Sequence, residues 1–222
     1  MNYAKYSENL EKRVDCNLCR KKRKFANKYD KIGEEKKKHN DFSPFVGIIS
    51  NPSSINPPAD ILIICEGHGG GDWSKIKNAK CQAQETYKYY LCQKIKTFHQ
   101  HEIRDLLNEL TNLKKTWVLT DFIHCYVRNK YKFKKDGWWK SGRRNKKKAA
   151  ELCTEYNQRI IDYFRPMNIV LFGDNVGKWY KRCNTPKNSE VKQFSFPSQM
   201  AADAWVRNGG VNAIIKWIKK ST

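Results

Sequence analysis

The chain reads as α/β: a three-layer α/β/α sandwich around a central, mostly parallel four-stranded sheet. Three observations predict it. Ile61-Leu-Ile-Ile-Cys65 is a continuous apolar run rich in β-branched residues and flanked by turn residues. That is the pattern of a strand buried on both faces, and therefore of a parallel one. Trp117-Val-Leu-Thr120 and Asn168-Ile-Val-Leu-Phe172 are two more such runs, each preceded by a segment of helical period. Strands alternating with helices put helices on both faces of a parallel sheet. The 222 residues suit one domain, since two cores would each be small.

Residues 1–40 are polar and basic, with Cys16-Asn-Leu-Cys19 followed by Arg20-Lys-Lys-Arg-Lys24. Pro44, Pro52, Pro57 and Pro58 make 41–59 an extended, turn-rich approach to the first strand. Glu66-Gly-His-Gly-Gly-Gly-Asp72 follows that strand as a glycine-rich loop, without the Gly-Lys-Ser/Thr of a P-loop. Residues 83–113 are helical by period, with Leu106, Leu107, Leu110 and Leu113 as the apolar stripe. The second strand ends in Asp121, and a polar insert spans 127–148. A helix over 149–164 leads to the third strand, which ends at Gly173, and another helix runs through Trp179. Gln193-Phe-Ser-Phe196 is a short fourth strand, followed by Pro197-Ser198 and a helical tail from Val211 to Lys219. Ligands of such sheets bind outside the carboxyl ends of the strands, here 66–72, 121–125, 173–175 and 196–200.

Charge narrows the partner. Lys plus Arg number 44 and Asp plus Glu 22, for a formal net charge of +22. A domain this cationic repels itself unless a polyanion is near, and nucleic acid is the leading candidate ahead of an anionic membrane surface. Aromatic residues are 13 % of the chain, which excludes simple disorder. The insert from Arg128 to Lys148 interleaves cations with Tyr131, Phe133, Trp138 and Trp139. Cations grip phosphates and aromatic rings stack on bases or sugars, so this segment is a candidate DNA contact.

No run approaches the roughly 20 apolar residues of a membrane span. The first residues lack the apolar core of a signal peptide, so the expectation is a cytoplasmic protein, taken to be a monomer. Structural disulfides are rare in that compartment, and eight cysteines therefore point to metal binding or burial. Cys16 and Cys19 have the spacing of a chelating pair in a polar segment. Cys65, Cys81, Cys92 and Cys183 lie among apolar or aromatic neighbours or in helices, where burial is the default.

Taken in order, Cys16-x-x-Cys19, the glycine loop after a strand, Val118-Leu-Thr-Asp-Phe-Ile-His-Cys125, Cys153 and Phe196-Pro-Ser198 resemble the iron–sulfur uracil-DNA glycosylases over residues 16–200. The resemblance implies a single glycosylase domain over 1–222, with 1–40 as a basic cluster-binding segment. It implies that Cys16, Cys19, Cys125 and Cys153 hold a structural [4Fe–4S] cluster; all-thiolate ligation suits zinc as the alternative. It assigns Glu66 to the attacking water and to the cationic transition state of glycosidic cleavage. Gly67, Gly69 and Gly70 would let the backbone approach the substrate, and Ser198 would hold a phosphate. Gln199 and Met200 would prop the base stack, and Trp73 would replace the family's stacking Phe.

Three departures bear on the substrate. His68 stands where the family has Pro, and Phe196 stands where the uracil enzymes have the His that stabilises charge on O2. His68 or backbone N–H groups are the candidates to take over. Asp121 stands where those enzymes commonly have Asn. An Asn amide matches the uracil edge, whereas a carboxylate accepts from the amine at C4 of cytosine and repels a carbonyl there. The expected substrate is therefore a modified cytosine of phage DNA, such as glucosylated hydroxymethylcytosine, because plain cytosine occurs in the host genome. The expected activity is a monofunctional glycosylase in anti-phage defence. Rival readings are a uracil or deaminated-base repair enzyme and a non-catalytic or covalently trapping binder of nucleic acid.

Overall fold

The computed structural model describes residues 48–50, 58–67, 91, 97–123 and 143–221. Its strands are β1 (Ile48–Ile49), β2 (Ile61–Gly67), β3 (Trp117–Ile123), β4 (Asn168–Phe172) and β5 (Glu190–Phe194). Its helices are α1 (Phe98–Asn112), α2 (Arg143–Phe164), α3 (Asp174–Tyr180), α4 (Ala202–Arg207) and α5 (Gly210–Lys220). The sheet order is β1-β3-β2-β4-β5, with β2 to β5 mutually parallel and the two-residue β1 antiparallel to β3. The expected four parallel strands are present, and β1 is an addition in the proline-rich approach.

Side-chain alternation, with its period of two, separates two cores. Leu62, Ile64, Val118, Ile169 and Leu171 face α2 and α3, where they meet Ile161, Phe164, Val176 and Trp179. Ile61, Ile63, Cys65, Trp117, Leu119, Val170 and Phe172 face the other way, against Ile103, Leu107, Trp205, Ile214 and Ile218. Helices thus cover both faces, as the continuous apolar strands require.

Several boundaries moved. Helix α2 begins at Arg143, so the last six residues of the insert are helical, not loop. Strand β3 continues through Ile123, which places Asp121 inside the strand. Glu66 and Gly67 likewise belong to β2, and the glycine loop starts after them. Strand β5 begins at Glu190 and ends at Phe194, leaving Phe196 beyond it. Helix α4 was unforeseen; Gly209 at φ +85° makes the left-handed turn that separates it from α5. In the 83–113 stretch, the described α-helix covers Phe98–Asn112, and most of 83–96 lies outside the described residues. Thr97 caps α1, its Oγ1 accepting from the Gln100 N–H at 3.4 Å. Lys114, at φ +56°, follows its end.

A clamp at the amino-terminal edge fixes the strand register. Asp60 Oδ2 accepts from both the N–H and the hydroxyl of Thr116 at 2.7 Å. The Thr116 hydroxyl in turn accepts from the Asp60 N–H at 2.9 Å. Lys115 Nζ lies 3.6 Å from Asp60 Oδ1. The Asp60 carbonyl accepts from Asn168 N–H at 2.9 Å, so one residue joins the starts of β2, β3 and β4. Replacing Asp60 with Ala strips two charge-assisted bonds and should cost about 2 kcal/mol, with Asn retaining part of it. Urea unfolding should show the lower midpoint at an unchanged slope.

Candidate active site

Chain direction locates the crevice. From β2 the chain moves to β3 on one side; from β4 it moves to β5 on the other. The strand order therefore reverses between β2 and β4, and ligands of open α/β sheets bind beyond the carboxyl ends at such a point. Two residues meet across it. Asn175, in the first turn of α3, donates from Nδ2 to Glu66 Oε2 at 3.1 Å. Gly173, at φ +94°, lets the chain leave β4 and enter α3 at once; its N–H bonds the Phe194 carbonyl at 2.8 Å. Residues 173–175 belong to the crevice inferred from the sequence, yet Asn175 was not singled out, for a polar residue early in a helix carries no distinctive signal.

Asp121 is one strand away and only 4 % exposed. Its register partner on β2 is Cys65. Burial first, and the neighbouring Asp121 carboxylate second, push the Cys65 thiol well above its ordinary range. The Cys65 side chain is buried, in keeping with its burial reading. Cys183 is buried as well, and desolvation followed by the charge of Asp162 raises it to about 11.

Alternation separates the two carboxylates. Glu66 follows Ile64 onto the α2–α3 face, consistent with its bond to Asn175, whereas Asp121 follows Leu119 onto the α1–α5 face. Both stand at the carboxyl end, on adjacent strands, astride the crest of the sheet.

The loop after β5 reaches the same end. Phe196 is half-buried, edge-on to Phe172 at a centroid distance of 6.2 Å. Pro197 is buried and Ser198 precedes a short 3-10 turn over Gln199–Ala201. Met200 is fully exposed. His99, in the first turn of α1, lies 6.1 Å from Phe196 between ring centroids. Burial lowers its pKa below 6.5. The sequence reading missed His99, whose helical neighbours gave it no motif.

Of the proposed cluster ligands, Cys153 alone is described; it is buried on α2. Asn157, one turn later and 1 % exposed, donates from Nδ2 to the Cys153 carbonyl and to the Phe122 carbonyl, each at 2.9 Å. This staple holds the Cys153 turn against Phe122 of β3, three residues before Cys125 in sequence. Cys16, Cys19, Cys125, His68, Gly69, Gly70 and Trp73 lie outside the described residues, as do Cys81 and Cys92. Gly67 is described in backbone only, level with Ile123.

No family model matches the chain, and no curated protein matches it significantly. Among the described residues no helix is long and apolar enough to cross a membrane.

Asn157→Leu should remove both bonds and leave the Phe122 carbonyl without this donor, costing about 2–3 kcal/mol. Asn157→Asp, of similar shape but without the amide donors, should lose a comparable amount in urea unfolding.

Proposed function

We propose that the protein is a monofunctional DNA glycosylase of the uracil-DNA glycosylase type, acting on a modified cytosine such as glucosylated hydroxymethylcytosine in phage DNA. The Glu66–Asn175 hydrogen bond across the β2–β4 crevice carries the reading. It sets a carboxylate with a fixed orientation where this architecture binds ligands. Cleavage of a glycosidic bond develops positive charge on the sugar, and a carboxylate held there stabilises that charge and accepts a proton from the attacking water. Asp121, buried one strand away, accepts from the cytosine amine. A buried carboxylate facing a uracil carbonyl would be strongly unfavourable, so the same group excludes uracil.

The base must leave the stack to reach these residues. Met200 enters the vacated position, and the Ser198 turn holds the backbone. Cationic residues of the insert, with the start of α2, hold the flanking phosphates. Cys16, Cys19, Cys125 and Cys153 bind a [4Fe–4S] cluster, with zinc as the other all-thiolate occupant. Its contribution is a cross-link between the basic amino-terminal segment and the sheet.

Two experiments test this. Abasic-site formation is measured on duplexes carrying glucosylated hydroxymethylcytosine, plain cytosine or uracil. The wild type should act on the first; Glu66→Gln should slow it about 100-fold or more, and Asp121→Asn should lose most activity there while gaining on uracil. Efficient uracil release by the wild type would favour the repair reading, and binding without turnover would favour a non-catalytic binder. For the metal, anaerobically purified protein should be brown, and Cys153→Ala should remove the colour. Colourless protein with stoichiometric zinc would replace the iron and keep the ligands.

A further inference from the structure

We propose that Gln193 is a positioning residue of this site: from β5 it fixes the first turn of α3, and through Asn175 it sets the direction of the Glu66 carboxylate. The proposal rests on the glycosylase reading above.

Helix α3 is a weak support by itself. It has seven residues, and a helix that short does not hold its shape unaided. Its cap position is Gly173, which has no side chain to receive the N–H groups of the first turn. Asn175 lies in that turn, so the direction of its bond to Glu66 depends on whatever else holds the turn.

Strand β5 holds it at two points. The Phe194 carbonyl accepts from the Gly173 N–H at 2.8 Å. Gln193, one residue earlier, donates from Nε2 to Asp174 Oδ1 at 2.7 Å. Register explains the reach, because Gln193 is level with Leu171, whose side chain faces α2 and α3. The Gln193 side chain also lies over Gly177, one turn further along the helix. A Cβ built on Gly177 would collide with Gln193 Oε1 and stand 2.8 Å from its Cδ. Gly177 has no positive φ to call for glycine, and a helix interior favours alanine. The room that this glycine leaves is the room Gln193 occupies.

The contacts thus run from Gln193 to Asp174, along one turn to Asn175, and across the crevice to Glu66. Gln193, Asp174 and Asn175 are all exposed, so these bonds add little to stability. Their effect is on direction. A carboxylate that takes a proton from water must be aimed at that water, and a misplacement of about 1 Å can cost about 100-fold in rate.

The test separates position from stability. Single-turnover abasic-site formation is measured on duplex DNA containing glucosylated 5-hydroxymethylcytosine. The proteins are wild type, Gly177→Ala, Gln193→Ala, Asn175→Ala, the double variant Gln193→Ala/Asn175→Ala and, as control, Val191→Ala. Melting temperatures are recorded for all, and the NMR signals of the Asn175 side-chain amide wherever Asn175 is kept. Gly177→Ala should push the flexible end of Gln193 aside and slow the reaction about 10-fold, while the melting temperature holds or rises. Gln193→Ala should slow it about as much at a near-wild-type melting temperature, and both variants should shift the Asn175 amide signals. The double variant should be no slower than Asn175→Ala, because the two residues act along one path. Val191 is on the same strand and face, level with Ile169, and Val191→Ala should keep the wild-type rate.

A wild-type rate in both Gly177→Ala and Gln193→Ala overturns the proposal and leaves the glycosylase reading standing. So does a double variant slower than Asn175→Ala, or a rate that falls only in step with melting temperature. A wild type that makes no abasic sites on any duplex overturns the glycosylase reading instead. Asn175 signals that shift in Gly177→Ala and Gln193→Ala would then keep the strut from Gln193 to Asn175, and unmoved signals would overturn it too.

Discussion

Strand β2 is enclosed on four sides, by β3 and β4 at its edges and by helix layers on its two faces. A strand so placed offers water no side chain, and residues Ile61 to Ile64 are accordingly all but fully buried. Polar chemistry is expelled to the strand's ends. At the amino end this produces the Asp60–Thr116 clamp, which is satisfied internally. At the carboxyl end it produces Glu66, held by a residue of the next strand's helix. The two ends thus differ in kind: one closes on itself, while the other turns its hydrogen bonds toward the point where the strand order reverses.

Charge imposes a second constraint. Helix α2 opens with Arg143-Arg-Asn-Lys-Lys-Lys148 and has no acidic residue in its first turn. A helix amino terminus carries partial positive charge, so cations there are unfavourable, and an isolated domain gains nothing from them. A phosphate backbone reverses the sign, because it is attracted by the helix end and by the side chains alike. The described acidic residues do other work: Glu151 meets Arg182, Glu155 meets Arg159, and Glu102 receives Trp205 Nε1. With a net charge of +22 on the whole chain, a large cationic excess remains beyond these local pairs.

The interior of the fold was legible because burial on both faces leaves a short, β-branched apolar run bounded by turn residues, the pattern a buried parallel strand requires. Ile61-Leu-Ile-Ile and Asn168-Ile-Val-Leu-Phe therefore declared themselves. Ends were less legible. Asp121 looked like a terminator, but the ladder carried β3 on to Ile123, since pairing with β2 outweighs the low strand preference of Asp. The six cationic residues before Ala149 looked like loop, yet Lys and Arg are good helix formers and α2 simply extends through them. Helix α4 was missed because Trp205 supplies its buried anchor almost alone. Glu66 and Phe196 were legible as residues near the carboxyl ends of strands. Asn175 and His99 were not, for each acquires its meaning from a partner far away in sequence.

The placement of Glu66 and Asp121 on opposite faces of one crest has a consequence for how rate and selectivity could be divided. A nucleotide extends from its sugar to the far edge of its base, and those two points need different groups. Glu66, on the α2–α3 side, has the orientation and partial exposure that suit a charge which must meet water. Asp121, 4 % exposed on the α1–α5 side, sits beside a desolvated thiol and an aromatic row. Electrostatic preference is strongest where water is excluded, so a mismatched base edge is penalised more at Asp121 than it would be at the open rim. On the glycosylase reading proposed above, the sheet would act as a partition, with sugar chemistry on one side of its crest and base recognition on the other. On that reading, substitutions that alter the base accepted would fall on the α1–α5 side, leaving Glu66 untouched.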